Sequence, residues 1–96
     1  MTRIRLTPAA RDDLSSVWDF TCDRWDARQA KTYLLDINEA FERLATDPER
    51  GRHCDDIRSG YRKYPAGSHL IFFVAHEDGI DVIRILHQRM DPTRHL

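Results

Sequence analysis

A chain of 96 residues and 11.3 kDa has room for one domain, spanning residues 1–96. With 41% hydrophobic and 32% charged residues it is too apolar for a disordered chain and too charged for a membrane-embedded one. Fifteen basic against sixteen acidic side chains leave a net charge of −1, which argues against a whole-chain polyanion binder but leaves room for a local basic patch.

In chain order, residues 3–7 alternate polar and apolar as a short half-buried strand does. Thr7-Pro8 then supplies an N-cap and a first helical residue whose missing N–H costs nothing. Ala10, Leu14, Val17, Trp18, Cys22 and Trp25 recur at spacings of three and four, predicting a helix over 8–25. Asp26 to Gln29 has the form of a capping box for a second helix over 27–46, with Ala30, Tyr33, Leu34, Ile37, Phe41 and Leu44 on its stripe and Asp47-Pro48 as its stop. So short a connection makes the two helices an antiparallel hairpin. Residues 49–60 read as a polar loop, 61–64 as a strand, 69–77 as a central strand, Asp78-Gly79 as a hairpin turn and 80–89 as an alternating strand. The tail, 90–96, is expected to be irregular and separable from the fold. The order β-α-α-β-β-β predicts an α+β domain, a helical hairpin packed on a small, mainly antiparallel sheet.

The longest apolar run, Leu70 to Ala75, falls far short of the roughly 20 residues a bilayer crossing needs. The N-terminal order Arg3, Arg5, Pro8, Arg11, Asp12 is not that of a signal peptide. A soluble, cytoplasmic chain is expected. Cys22 and Cys54 form no pairing motif, and Cys22 is expected in the core. His53-Cys54 lacks a second ligand pair, so no metal is expected, and no G-x-G arrangement suggests a nucleotide; no cofactor is implied.

Two groups are candidates for function. Arg62, Lys63, Arg84, His87 and Arg89 would converge on one rim if their strands flank the central one, and an imidazole beside guanidiniums suits RNA cleavage; solvated edge positions are the alternative. Trp18 and Trp25, seven apart on the apolar stripe, are expected in the core, with a binding hot spot as the alternative.

The segment Arg84-Ile85-Leu86-His87-Gln88-Arg89-Met90-Asp91-Pro92, after Gly67-Ser68-His69 and Ile71-Phe72-Phe73, resembles the ParE toxins of bacterial type II toxin–antitoxin modules, in the RelE/ParE superfamily. The likeness extends through Leu6-Thr7-Pro8-Ala9-Ala10, Asp13-Leu14, Trp18, Phe41-Glu42-Arg43-Leu44-Ala45, Asp56-Ile57-Arg58 and Gly60-Tyr61-Arg62. It implies a toxin without catalytic residues that traps DNA gyrase on cleaved DNA, meets nucleic acid only through gyrase, and is neutralised in a hetero-oligomer by a ParD-like antitoxin that folds onto it. On that basis Arg84, His87, Arg89, Met90 and Arg94 are the expected gyrase contacts, and Leu14, Trp18, Trp25, Tyr33 and Ile37 the expected antitoxin contacts. A messenger-RNA endoribonuclease using His87 and the arginines, or a nontoxic interaction module, are the alternatives.

Overall fold

The computed structural model describes residues 3–96. Strand β1 (Arg3–Leu6) leads into helix α1 (Pro8–Arg24), capped as the sequence implies: the Thr7 hydroxyl accepts from the Ala10 N–H at 3.0 Å. Helix α2 (Ala27–Thr46) opens on Asp26, whose carboxylate accepts from the Gln29 N–H at 2.8 Å. Strands β2 (Arg52–His53), β3 (Arg62–Ala66), β4 (His69–His76) and β5 (Gly79–His87) follow, with 3₁₀ turns at Pro48–Arg50 and Pro92–Arg94. The loop expected over 49–60 thus contains a short strand and part of a 3₁₀ turn, both too brief for periodicity to reveal.

The five strands lie in the order β1-β5-β4-β3-β2. All neighbours pair antiparallel except β1 and β5, which run parallel: the helical hairpin carries the chain from β1 to β2 on the opposite edge, and β3, β4 and β5 return antiparallel across the sheet to lie beside β1. One sheet face carries the main core: Ile71, Phe73, Ile80, Val82 and Ile85 meet Val17, Ile37, Phe41 and Leu44 of the helices. Each such side chain contributes roughly 1.5–3 kcal/mol by leaving water. The other face holds a smaller core of Cys54, Phe72 and Leu86, closed by Ile57, Tyr61, Leu70 and Leu96. The tail is therefore part of the fold, not separable from it: Leu96 closes the second core, and the His95 carbonyl accepts from Arg84 Nη1 at 3.1 Å.

Two local findings revise the strand reading. A register shift between Phe72 and Phe73 sets them opposite Arg84 and Val82, so Ile83 is the extra residue and Val82 shares a face with Ile85 rather than Arg84. The β4–β5 turn is Glu77-Asp78, and Gly79 is the first residue of β5. Its lack of a side chain admits β1, since a Cβ there would lie 1.8 Å from the Arg3 carbonyl oxygen.

Candidate functional site: the cleft between the first helix and the last strand

Strand β1 covers only the first half of β5, pairing as far as Val82. Beyond it, side chains satisfy the open edge. The Thr7 hydroxyl donates to the Ile83 carbonyl at 2.7 Å, and the Ile85 N–H donates to Asp13 Oδ2 at 2.9 Å. The same carboxylate receives Arg84 through Nε at 2.7 Å and Nη2 at 2.9 Å, a bidentate pair with both side chains mostly buried. This holds the Arg84 guanidinium charged, its pKa raised by the hydrogen bond to Asp13.

Past this clamp, α1 and the end of β5 enclose a cleft. An aromatic file runs along it: Trp25 lies 6.1 Å from Tyr33, Tyr33 5.6 Å from His69, His69 5.3 Å from His87, and His87 5.6 Å from Phe20. The Tyr33 hydroxyl accepts from the Ser68 N–H at 2.9 Å and shares a hydrogen bond with His69 Nδ1 at 2.7 Å. Burial raises the Tyr33 pKa and lowers that of His69, which the neighbouring His87 lowers further. Both rings are thus held neutral at pH 7. Gly67 (φ +61°) lets the β3–β4 turn press against the Tyr33 ring. His87 Nδ1 accepts from the Arg89 N–H at 3.1 Å, so the neutral ring carries its proton on Nε2. Arg24 caps the file, its guanidinium 4.9 Å from the Phe20 centroid.

The cleft mouth gathers Trp25, Arg24, His87, Arg89 and Met90. Of the residues expected to contact gyrase, His87, Arg89 and Met90 meet there, while Arg84 is engaged by Asp13 and Arg94 lies exposed on the final 3₁₀ turn. The convergence expected of Arg62, Lys63, Arg84, His87 and Arg89 does not occur. Arg62 is two strands from β5 and level with Val82, and its Nη1 donates to the Gly51 carbonyl at 2.9 Å. Lys63 and Arg84 pair with Phe72 from either side, on the face away from His87.

The tryptophans are not in the core. Trp18 is 37% and Trp25 48% exposed, because the buried line of α1 is Ala10, Val17 and Thr21, one position to the side of the stripe read from the sequence. Thr21 can be buried because its hydroxyl donates to the Val17 carbonyl at 2.9 Å. Cys22 is half-buried rather than a core residue. Among the expected antitoxin contacts, Leu14 and Trp18 line a groove with Leu34 between the helices, and Trp25 and Tyr33 pair at the cleft. Ile37 is 1% exposed and belongs to the core, so it cannot touch a partner. Leu35, off the apolar stripe of α2, is a further exposed apolar side chain on the hairpin, 54% exposed. Among the described residues no group of three or more metal-ligating side chains assembles, and no helix is long and apolar enough to cross a membrane.

A helical hairpin crossing over a β1-β5-β4-β3-β2 sheet is the α+β architecture of the RelE/ParE type. It is shared with a solved structure of the chromosomal ParDE toxin–antitoxin system from Pseudomonas aeruginosa, at a TM-score of 0.76 and 20% identity, over 91% of this chain and 96% of that one. The family of ParE toxins of the type II toxin–antitoxin system parDE matches residues 4–92, and the chain belongs to it. Toxin ParE1 of Mycobacterium tuberculosis is 51% identical over 99% of this chain and 98% of its own length. Toxin ParE1 of Caulobacter vibrioides is 33% identical over 100% and 99%.

Proposed function

We propose that this toxin inhibits DNA gyrase by contact rather than by catalysis of its own, and that a ParD-like antitoxin neutralises it by covering the cleft between α1 and β5. The observation that carries the reading is the cleft mouth itself. There an exposed tryptophan, two guanidiniums and an exposed methionine sit together, the mixture of apolar area and charge found at binding hot spots. The groups an RNA-cleaving site would need on one surface are instead dispersed: Arg84 is bound to Asp13, Arg62 to the Gly51 carbonyl, and Lys63 faces away.

Neutralisation follows from the arrangement. Trp25 lines the same cleft as Arg89 and Met90, and Trp18 with Leu14 and Leu34 forms a groove elsewhere on the hairpin. A segment that folds along the hairpin onto these apolar groups would also occlude Arg89 and Met90. Such an interface buries about 1,200–2,000 Å² and is mostly apolar. It should survive about 1 M salt, where the Debye length is about 3 Å.

The deciding experiment incubates purified toxin with gyrase, ATP and supercoiled plasmid, then digests the protein, beside the same toxin with messenger RNA. Accumulated linear plasmid and intact RNA are expected. Cleaved RNA with gyrase unaffected would replace this reading with the ribonuclease one.

A further inference from the structure

The near-zero net charge conceals a division between layers. Residues 7–47, the helical hairpin and its caps, carry nine acidic and five basic side chains, whereas residues 3–6 and 48–96 carry ten basic and seven acidic. Strand register places part of that excess on the sheet face opposite the helices. Arg3 lies in a row with Gly79 and His76, Arg5 with Asp81 and Val74, and Arg52 with Lys63 and Phe72. Alternation puts all of these on the face that holds Phe72, since Ile4 and Leu6 turn to the helices. The Cys54–Phe72–Leu86 core covers the Phe72 end of this face, with half-buried Lys63 and exposed Arg52 beside it in the same row, and Arg3 and Arg5 lie exposed in the rows beyond it.

The acids near this face are Asp81, which stands opposite Arg5 and lies 2.8 Å from His76, Asp78, 4.0 Å from Arg3 at the rim, and Asp55 and Asp56, which flank Cys54 together with Lys63. Arg5, Arg52 and Lys63 form no ion pair among the described residues. Arg5 and Lys63 lie three strand spacings apart across the sheet and two residues apart along it, about 16 Å between backbones. From that separation their long side chains can lean inward to the two phosphate walls of a B-DNA major groove, roughly 12 Å wide.

We infer that this sheet face binds the phosphate backbone of duplex DNA through Arg5, Arg52 and Lys63. A protein partner would need an apolar anchor, and Val74 is the one apolar side chain among these rows outside the Phe72 core. A flat, cationic, anchor-free surface suits a polyanion. The face lies on the opposite side of the sheet from the α1–β5 cleft, so DNA and a protein can be held together. This role rests on the gyrase reading, whereas DNA binding itself is measured without gyrase.

The test is fluorescence anisotropy of a labelled 25-base-pair duplex titrated with the full chain, with single-stranded RNA of equal length alongside. Three phosphate contacts give a slope near −2.7 in log affinity against log salt, so affinity should fall about forty-fold between 50 and 200 mM salt. Arg5→Glu/Arg52→Glu/Lys63→Glu should abolish binding. Arg11→Glu/Arg28→Glu/Lys31→Glu, the same charge change on the helical layer, should weaken it several-fold at most. If Lys63→Glu, which is half-buried, prevents folding, Arg5→Glu/Arg52→Glu alone should reduce affinity at least ten-fold with unchanged circular dichroism. No duplex binding at 50 mM salt, equal loss in both triple variants, or binding of RNA but not duplex overturns the inference. Plasmid linearisation by gyrase, scored separately, reports on the contact reading whichever way the DNA result falls.

Discussion

Asp13 and Arg84, 71 positions apart in sequence, form a bidentate ion pair that also completes the edge of β5, because Asp13 Oδ2 accepts the Ile85 N–H as well. One carboxylate therefore joins α1 to the last strand beside the cleft. Removing it strands a largely buried guanidinium and a backbone donor together. Asp13→Ala should cost about 2–3 kcal/mol. At this chain length that lowers Tm by about 10–20 °C in a thermal melt. Asp13→Asn keeps one acceptor and should cost less. An unchanged Tm for Asp13→Ala would show that the clamp is not needed for the fold.

His69 predicts the pH dependence. Burial and the nearby His87 lower its pKa below the ordinary 6.5, so the unfolded chain takes up a proton that the folded chain refuses. The contribution is complete above the unfolded pKa and declines as pH falls from about 6.5 toward the folded value. Urea midpoints measured at pH 7.5, 6.5 and 5.5 should decrease in that order. His69→Gln, which keeps a hydrogen-bonding partner for Tyr33, should flatten the trend. A wild-type midpoint that rises on acidification would contradict the assignment.

Stability and partner binding should separate cleanly along α1 and α2. Trp18 and Trp25 are exposed, so Trp18→Ala and Trp25→Ala should change folding free energy by less than about 1 kcal/mol. Each should weaken antitoxin binding by about 2 kcal/mol or more, roughly thirty-fold. Ile37→Ala, by contrast, empties a core position and should destabilise the toxin by about 2–5 kcal/mol, with its effect on binding confined to the folded fraction. Calorimetric titration paired with denaturant melts distinguishes the two patterns.

The sequence carried the helix boundaries well, since Thr7, Pro8, Asp26 and Pro48 act through local hydrogen bonds and sterics that the chain states directly. It carried less wherever a long-range partner decides. Val82-Ile83 reads the same with or without an inserted residue, so the bulge that moves Arg84 to the opposite face from Val82 was invisible. Thr21 is buried only because its hydroxyl donates to the Val17 carbonyl, a pairing that apolar spacing does not show, so the apolar stripe of α1 runs through the tryptophans instead. The cleft was half legible. Arg89 stood out by residue type and Met90 only through the family resemblance, but Tyr33, His69 and Phe20 meet only because the hairpin crosses the sheet.

The gyrase contact must be tested with point changes, since truncating the tail would confound it. Removing residues 90–96 would take away Leu96, which packs against the Cys54–Phe72–Leu86 core, and the His95 carbonyl that Arg84 uses. Lost toxicity in that variant would then report unfolding as readily as lost contact. Arg89 and Arg94 are exposed, and neither forms an ion pair among the described residues; Met90 is 38% exposed. Arg89→Ala/Met90→Ala and Arg94→Ala should therefore leave Tm within about 2 °C. Truncating two adjacent contacts of about 1–2 kcal/mol each should weaken gyrase trapping by roughly thirty-fold to nearly a thousand-fold in the first variant. Leu96→Ala should show the reverse, a lowered Tm and, for the folded protein, full trapping. His87→Ala should reduce trapping by about ten-fold, as a contact residue does, whereas a general acid or base in RNA cleavage would cost about 10²–10⁴ in rate. Trapping by the Arg89→Ala/Met90→Ala toxin at the wild-type concentration would remove the cleft mouth from the gyrase interface.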